Sequence, residues 1–171
     1  MIIELFELSE PVSDFNVELS PAEINLEEES VRLDKPVKIE GKIKKGIAQT
    51  DVEGRIAADF EMDCTRCLSV ARTGLNFPFK VTFVTEENYT QDAEAELRAD
   101  DLDVAIFSGD KIDLAELGRE QILLNLPVRF LCEENCKGLC PKCGVNKNTV
   151  NCDCEEKEID PRWLGLRDLR S

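Results

Sequence analysis

Cysteine is the residue type in this sequence that is best suited to chemistry. The chain of 171 residues has eight cysteines and no histidine. The cysteines form four close pairs: Cys64 with Cys67, Cys132 with Cys136, Cys140 with Cys143, and Cys152 with Cys154. Paired thiolates at such spacings are typical ligands of tetrahedral Zn²⁺. The four pairs therefore predict two Zn²⁺ sites with four cysteine ligands each.

The pairs can be divided between two sites in two ways. The favoured division places in one site the four cysteines that close the shortest loop, which are Cys140, Cys143, Cys152 and Cys154. The other site then has the ligands Cys64, Cys67, Cys132 and Cys136. The competing division joins Cys132 through Cys143 in one site, and Cys64, Cys67, Cys152 and Cys154 in the other. An iron–sulfur cluster is an alternative to zinc, which is preferred because every pair resembles a structural zinc knuckle.

Sites made only of thiolates are usually closed and structural, because no coordination position is left for a substrate. The lack of histidine excludes Ser–His and Cys–His catalysis. The phosphate-binding patterns G-x-x-x-x-G-K-[ST] and G-x-G-x-x-G do not occur. We therefore expect a non-enzymatic protein. The alternative hypothesis is a redox- or metal-responsive switch, in which oxidation of the paired cysteines releases zinc.

The charge balance limits the possible partners. The formal net charge is −15, which argues against a broad electrostatic attraction to nucleic acid or to an anionic membrane. Without a basic leader or an apolar stretch long enough to span a bilayer, we expect a cytoplasmic protein whose thiols stay reduced and which has no membrane partner.

Basic side chains are concentrated in the middle of the chain. Residues 32–85 have ten bases and seven acids, which indicates mainly a solvated strand face. Five bases near the cysteine pairs are candidate contacts to RNA or to a partner protein: Arg66, Arg72, Lys137, Lys142 and Lys147.

Strands and one helix must position the cysteines. Apolar residues alternate with polar ones from Val52 to Cys64 and again from Leu75 to Phe83, which predicts two strands joined by the first C-x-x-C turn. Strands are also predicted around residues 37–43 and 102–106, with weaker indications at Ile2–Leu8 and Phe15–Leu19.

Helix signals occur twice. Asp113 can cap a helix that ends near Asn125, before Pro127, with Ile112 and Leu117 spaced as a hydrophobic staple. A short terminal helix is predicted over residues 160–169, with Pro161 at its first position.

We therefore predict an α+β fold that is mainly antiparallel β, as a barrel-like or curved sheet, with one or two short helices and a zinc-knuckle C-terminal segment. Residues 1–130 form a β-rich body with the first C-x-x-C turn and one helix. Residues 131–171 form a cysteine-rich zinc-binding segment with a short C-terminal helix, packed on that body.

Three segments together resemble the YceD family, the bacterial and plastid large ribosomal RNA subunit accumulation proteins. These segments are CTRCL at 64–68, LNLPVRFLCEENCKGLCPKCGVNKNTVNCDC at 124–154, and DPRWLGL at 160–166. The resemblance implies a non-enzymatic role in ribosome biogenesis, in the accumulation or processing of large-subunit rRNA. It implies as partner a large-subunit rRNA precursor or a ribosomal or assembly protein, with no small-molecule substrate.

Overall fold

A computed structural model describes residues 1–8, 10–47, 49–85, 104–107, 111–154 and Arg162. In this part of the chain there are eight strands, one α-helix and a single turn of 3-10 helix at Leu5–Glu7. The strands are β1 (Ile2–Glu4), β2 (Val12–Leu19), β3 (Val31–Leu33), β4 (Val37–Lys45), β5 (Gln49–Asp63), β6 (Val70–Thr85), β7 (Val104–Phe107) and β8 (Lys111–Asp113). The helix α1 is Leu114–Asn125.

The long hairpin of β5 and β6 is the central element of the fold. Its two strands pair antiparallel from Gln49 opposite Val84 to Asp63 opposite Val70. The alternation in the sequence has its expected effect on β5, because Val52, Ile56 and Phe60 are fully buried. The prediction of two strands joined by the first C-x-x-C turn is confirmed.

Four further strands extend this hairpin into a six-stranded sheet, in which five strands follow the order β2-β4-β5-β6-β7 and β3 lies off this path. β3 pairs antiparallel with the end of β5 beyond β4, where Val31 lies opposite Met62. β7 pairs with β6 in parallel, whereas every other pair in this sheet is antiparallel. β1 and β8 form a separate two-stranded sheet.

The prediction of a mainly antiparallel β fold is confirmed. Of the two predicted forms, a barrel-like or a curved sheet, the barrel-like form is wrong for the described residues, whose sheets are not closed. Closure would require a ladder between the outer strands β2 and β7. No such pairing occurs in the described part of the chain, because β7 has four residues and pairs only with the end of β6.

Helix α1 packs against the side chain of Ile39 on β4, since a Cβ at Gly118 would lie 2.6 Å from the Ile39 Cδ1. The Asp113 side chain caps the helix by accepting a hydrogen bond of 2.9 Å from the Ala115 N–H, and the helix ends at Asn125, as predicted. Leu114, Leu117 and Ile122 are buried. Of the described helices, none is long and apolar enough to cross a membrane.

Several short elements were not foreseen. β3 and β8 have three residues each, too few to show an alternating pattern. The predicted strand at Ile2–Leu8 ends at Glu4 and continues as the 3-10 helix. The predicted helix at 160–169 lies outside the described residues except for Arg162, and the division at residue 130 stays a prediction.

Most bases on the strands are paired, as expected for a solvated face. Lys38 contacts Glu18 at 3.0 Å and Lys42 contacts Asp14 at 3.6 Å, each across the β2–β4 ladder. Lys44 contacts Glu53 across the β4–β5 ladder. Exposed pairs of this kind contribute about 0–1 kcal/mol each to the free energy of unfolding. They therefore neutralise charge on the surface but add little to the stability of the sheet.

A glycine pair at the centre of the sheet generates a test of this packing. Gly41 and Gly54 lie opposite each other on β4 and β5. A Cβ at Gly54 would lie 2.1 Å from the Glu40 carbonyl oxygen and 2.9 Å from the Gly41 Cα. We expect Gly54→Ala to lower the free energy of unfolding by about 1–3 kcal/mol, because backbone must move to admit the methyl group. Urea unfolding measures this loss.

Gly74→Ala on β6 is the matched control. A Cβ there would lie 3.0 Å from Asp59 Oδ1, the end of a side chain that can rotate. We expect a change within about 0.5 kcal/mol for this substitution. Equal losses at the two positions would contradict the close approach of β4 and β5.

Candidate metal centres

The first cluster is formed by Cys64, Cys67, Cys132 and Cys136, whose sulfur atoms all lie within 4.8 Å of one another. The Cys64 and Cys136 sulfurs are 3.7 Å apart, and those of Cys67 and Cys132 are 3.5 Å apart. A disulfide would need about 2.05 Å. Four sulfurs at about 2.3 Å from a tetrahedral Zn²⁺ lie about 3.8 Å apart. The spacing therefore fits a metal ion between four thiolates.

Two segments distant in sequence meet at this cluster. The β5–β6 turn supplies Cys64 and Cys67, while the segment after α1 supplies the other two ligands. The N–H and hydroxyl of Thr65 both donate to the Phe130 carbonyl oxygen, at 2.9 and 3.0 Å. Cys136 follows after a turn in which its N–H donates to the Glu133 carbonyl oxygen at 3.1 Å. Cys64, Cys67 and Cys136 are buried.

The second cluster is formed by Cys140, Cys143, Cys152 and Cys154, also within 4.8 Å of one another. It is more open, because Cys143 and Cys154 are exposed. The structure thus brings the eight cysteines together in the division that the sequence favoured, and the competing division does not occur. Both donor sets fit Zn²⁺ in number, type and spacing. That zinc binds there, and that the cysteines act as a redox switch, stay predictions.

The first C-x-x-C turn is built as a tight hairpin tip. The Cys64 N–H donates to the Ser69 carbonyl oxygen at 2.9 Å, and the Leu68 N–H donates to the Cys64 carbonyl oxygen at 2.9 Å. Leu68 has a φ of 59°, a left-handed conformation that is uncommon for a residue with a side chain.

The second C-x-x-C turn repeats these features. The Cys140 N–H donates to the Val145 carbonyl oxygen at 2.8 Å, and the Gly144 N–H donates to the Cys140 carbonyl oxygen at 2.9 Å. Gly144 has a φ of 74° and corresponds to Leu68 of the first turn. A single β-bridge pairs Leu139, which precedes the turn, with Asn146, which follows it. Both turns therefore present their two cysteines in the same local geometry.

Backbone N–H groups prepare one sulfur of each cluster for ionisation. Burial opposes ionisation of Cys64, but hydrogen bonds from the N–H groups of Cys132, Arg66 and Cys67 lower its pKa to about 6. In the second cluster the N–H groups of Cys143 and Lys142 lower the pKa of Cys140 to about 6. These two sulfurs are mostly thiolates at neutral pH.

Other sulfurs of each cluster retain their protons. The hydrogen bond to Cys67, followed by burial, raises the pKa of Cys132 to about 12. The hydrogen bond to Cys143, followed by burial, raises the pKa of Cys154 to about 12. Ionisation of Cys132 and Cys154 is therefore opposed while no cation lies among the sulfurs. Binding of a divalent metal would therefore release protons.

The predicted contact residues fall into two sets. Arg66 and Lys142 lie on the two C-x-x-C turns, while Lys137 and Lys147 lie in the segment between the cluster ligands. Arg72 lies on β6, where it forms ion pairs with Glu61 at 3.0 Å and Asp34 at 3.6 Å. The hydrogen bond to Glu61 raises its pKa.

Three residues near the clusters were missed from the sequence. Arg129 is exposed and precedes Phe130, which holds the first turn. Asn146 and Asn148 form hydrogen bonds near the first cluster. A lone arginine and two loop asparagines have no pattern that separates them from ordinary turn residues, so no feature of the sequence identified them.

Fold and clusters together define a protein class: an open, mainly antiparallel β-sheet protein with two four-cysteine clusters toward its C-terminal end. Residues 52–170 match the sequence profile of one family, described as large ribosomal RNA subunit accumulation protein YceD. The chain belongs to the YceD family, which confirms the resemblance seen in the motifs.

Individual relatives extend this likeness over the whole chain. The uncharacterised protein YlbN of Bacillus subtilis is 25% identical over 98% of this chain and 94% of its own length. An uncharacterised protein of Mycobacterium tuberculosis is 31% identical over 96% of this chain and 74% of its own length. No solved structure matches the chain.

A plant relative has a name that states a role. The Arabidopsis thaliana protein named large ribosomal RNA subunit accumulation protein YCED homolog 1, chloroplastic, is 37% identical over 60 residues. That segment is 35% of this chain and 19% of the plant protein.

The two clusters predict the metal content of the protein and of its variants. We expect two Zn²⁺ per chain. The double substitution Cys64→Ser and Cys67→Ser should remove one, and Cys152→Ser with Cys154→Ser should remove the other. Native mass spectrometry at saturating zinc measures this. One zinc in the unsubstituted chain, or the loss of both from the Cys152→Ser, Cys154→Ser chain, would contradict two separate clusters.

The conformation of Gly144 predicts a specific weakening of the second cluster. A Cβ at Gly144 would have no heavy atom within 4 Å, so an alanine there meets only the backbone cost of its positive φ. That cost is about 1–2 kcal/mol, and Gly144→Ala should weaken zinc binding by the second cluster about 5- to 30-fold. Chelator competition measures this on the Cys64→Ser, Cys67→Ser chain.

Gly144→Asn is the control, because asparagine tolerates the left-handed region better than alanine does. It should retain most of the affinity. An alanine variant with unchanged affinity would contradict the requirement for this backbone conformation.

Proposed function

We propose that this protein is a non-enzymatic ribosome-biogenesis factor that supports the accumulation of large-subunit rRNA, and that both clusters hold Zn²⁺ as structural ions. The observation that supports this best is that the segment matching the YceD profile contains both four-sulfur clusters. The description of that profile and the name of the plant relative supply the biological role. Four cysteine ligands per ion leave no coordination position for a substrate, which agrees with a structural and not a catalytic metal.

The pairing of cations indicates where a partner would bind. On the described strands and helix, every lysine and arginine except Lys80 has a carboxylate, carbonyl or amide partner for its side chain. Five cations in the segments that build the clusters form no side-chain hydrogen bond or ion pair within the described part of the chain: Arg66, Arg129, Lys137, Lys142 and Lys147. We call these five residues the cluster cations.

The cluster cations suit an anionic partner. A Zn²⁺ with four thiolates has a net charge of about −2. The cluster cations partly offset that charge and the charge of the nearby exposed acids Glu133, Glu134 and Asp153. Arg66, Arg129, Lys137 and Lys142 remain exposed on a scaffold fixed by the clusters. Such placement suits phosphate contacts, which set position without reading base sequence.

The role assigns the protein a cytoplasmic location and a partner among large-subunit rRNA precursors or ribosomal and assembly proteins. Reduced thiols, which zinc ligation requires, are maintained in that compartment. Phe130, the aromatic side chain nearest the clusters in the described segment, is half-buried. Arg66, Arg129, Lys137 and Lys142 are more exposed than this ring, so the phosphate backbone is the favoured target.

Charge reversal tests this surface. The triple substitution Arg66→Glu, Lys137→Glu and Lys142→Glu should abolish most co-sedimentation with large-subunit precursors, because phosphate contacts are lost and repulsion is added. The control is Lys35→Glu, Lys38→Glu and Lys42→Glu, which makes the same change in net charge on strands and loops of the sheet. Zinc content is measured on both variants, since the substituted cations lie close to thiolates.

Unchanged co-sedimentation of the cluster variant, with zinc retained, would contradict this surface. Equal losses in both variants would indicate a nonspecific effect of net charge and would also contradict it. In-cell crosslinking of the unsubstituted chain distinguishes the two partner classes, because direct contact yields crosslinked rRNA and mediated contact yields a crosslinked protein.

A further inference from the structure

The side-chain amide of Asn148 forms hydrogen bonds with Cys136, a ligand of the first cluster, and with its neighbour Lys137. Its Oδ1 accepts a hydrogen bond of 2.7 Å from the Lys137 N–H, and its Nδ2 donates to the Cys136 sulfur at 3.3 Å. The first bond sets the orientation of the amide, because only an oxygen can accept from an N–H. The NH₂ group therefore faces the sulfur, which is the arrangement that supports a thiolate ligand.

Asn146 makes a second connection to the same cluster. Its Nδ2 donates to the Ser69 hydroxyl oxygen at 3.0 Å, and hydrogen bonding from Ser69 lowers the pKa of Cys67. Its Oδ1 accepts from the Asn148 N–H at 2.9 Å. Asn146 and Asn148 thus reach two sulfurs of the first cluster, one directly and one through Ser69.

Both asparagines belong to the loop of the second cluster. They lie between Cys143 and Cys152, two of its ligands. Two backbone hydrogen bonds shape this loop. The Lys147 N–H donates to the Gly138 carbonyl oxygen at 2.9 Å, and the Val150 N–H donates to the Asn146 carbonyl oxygen at 3.0 Å. A metal ion that joins Cys143 to Cys152 closes this loop and reduces its freedom.

The geometry points to a coupling between the two metal centres, in which Asn148 acts as a positioning residue for Cys136 and is itself positioned by the metal of the second cluster. An ion in the second cluster orders the loop, and the ordered loop directs N–H donors to sulfurs of the first. This inference rests on the metal binding proposed above. Hydrogen-bond partners of metal ligands typically affect metal affinity about 10- to 100-fold.

Coupling has a reciprocal consequence. If the second ion strengthens binding at the first cluster by some factor, the first ion must strengthen binding at the second by the same factor. The two sites are the two clusters, and the element that links them is the loop with Asn146 and Asn148.

A double-mutant cycle on the full chain tests the inference. The overall stability constant for two Zn²⁺ is measured by chelator competition with and without Asn148→Ala. The same substitution is then measured in the Cys152→Ser, Cys154→Ser chain, which keeps only the first cluster. We expect a loss of about tenfold in the intact chain and a change of less than about twofold in the single-cluster chain.

Asn148→Asp and Asn151→Ala complete the set. Aspartate keeps an oxygen acceptor for the Lys137 N–H but offers no donor to Cys136, so the loss should be at least as large as with alanine. Asn151 is exposed in the same loop and forms no hydrogen bond within the described residues, and its substitution should leave both constants unchanged.

The outcomes separate this inference from the proposed zinc sites. Equal losses in the intact and the single-cluster chain would show that Asn148 supports its sulfur without help from the second ion, and would overturn the coupling. No loss in either chain would overturn it as well. A chain that binds no zinc would contradict the proposed metal sites, whereas two bound zinc ions with no effect of Asn148→Ala would contradict the coupling alone.

Discussion

The constraint on which the structure depends is the close approach of four ionisable sulfurs from two distant segments at the tip of the β5–β6 hairpin. Sulfurs 3.5 to 3.7 Å apart repel each other once ionised, and a divalent ion removes that repulsion while it fixes their positions. The β5–β6 turn supplies Cys64 and Cys67, and the chain after α1 must fold back onto this turn to supply Cys132 and Cys136. The two bonds from Thr65 to the Phe130 carbonyl oxygen mark where that return is held. The segment from Phe130 to Cys136 is therefore held at the tip of the hairpin by these bonds and by the first cluster.

Much of this arrangement follows from the sequence, and the reasons are local. Strand alternation is strong in β5 because one face is buried along its whole length, and Asp113 has the side chain that an N-cap requires. The division of the cysteines followed from loop length, since four of them lie within one short segment. Each of these features depends on residues that are near one another in the chain.

What the sequence did not reveal depends on contacts between distant residues. β3 pairs with β5 through three residues, and β7 joins β6 in parallel, and neither pairing leaves a periodic pattern. Sheet closure depends on whether the outer strands meet, which alternation within a strand does not determine. Asn148 reaches a sulfur twelve residues away, yet in the sequence it is a polar loop residue like its neighbours. The partners of Arg72 are on β5 and in the loop before β4, so its charge looked available in the sequence and is paired in the fold.

The two C-x-x-C turns have the same geometry but different support. The first is continuous with the β5–β6 ladder, which fixes the chain on both sides, and there Leu68 adopts a positive φ at a cost of about 1–2 kcal/mol. The second has one β-bridge behind it, and there glycine occupies the same position. A hairpin of fifteen- and sixteen-residue strands supports a strained residue at its tip better than a single bridge does. The first turn is therefore shaped by the sheet, whereas the second depends on its glycine and would gain order from the proposed metal ion.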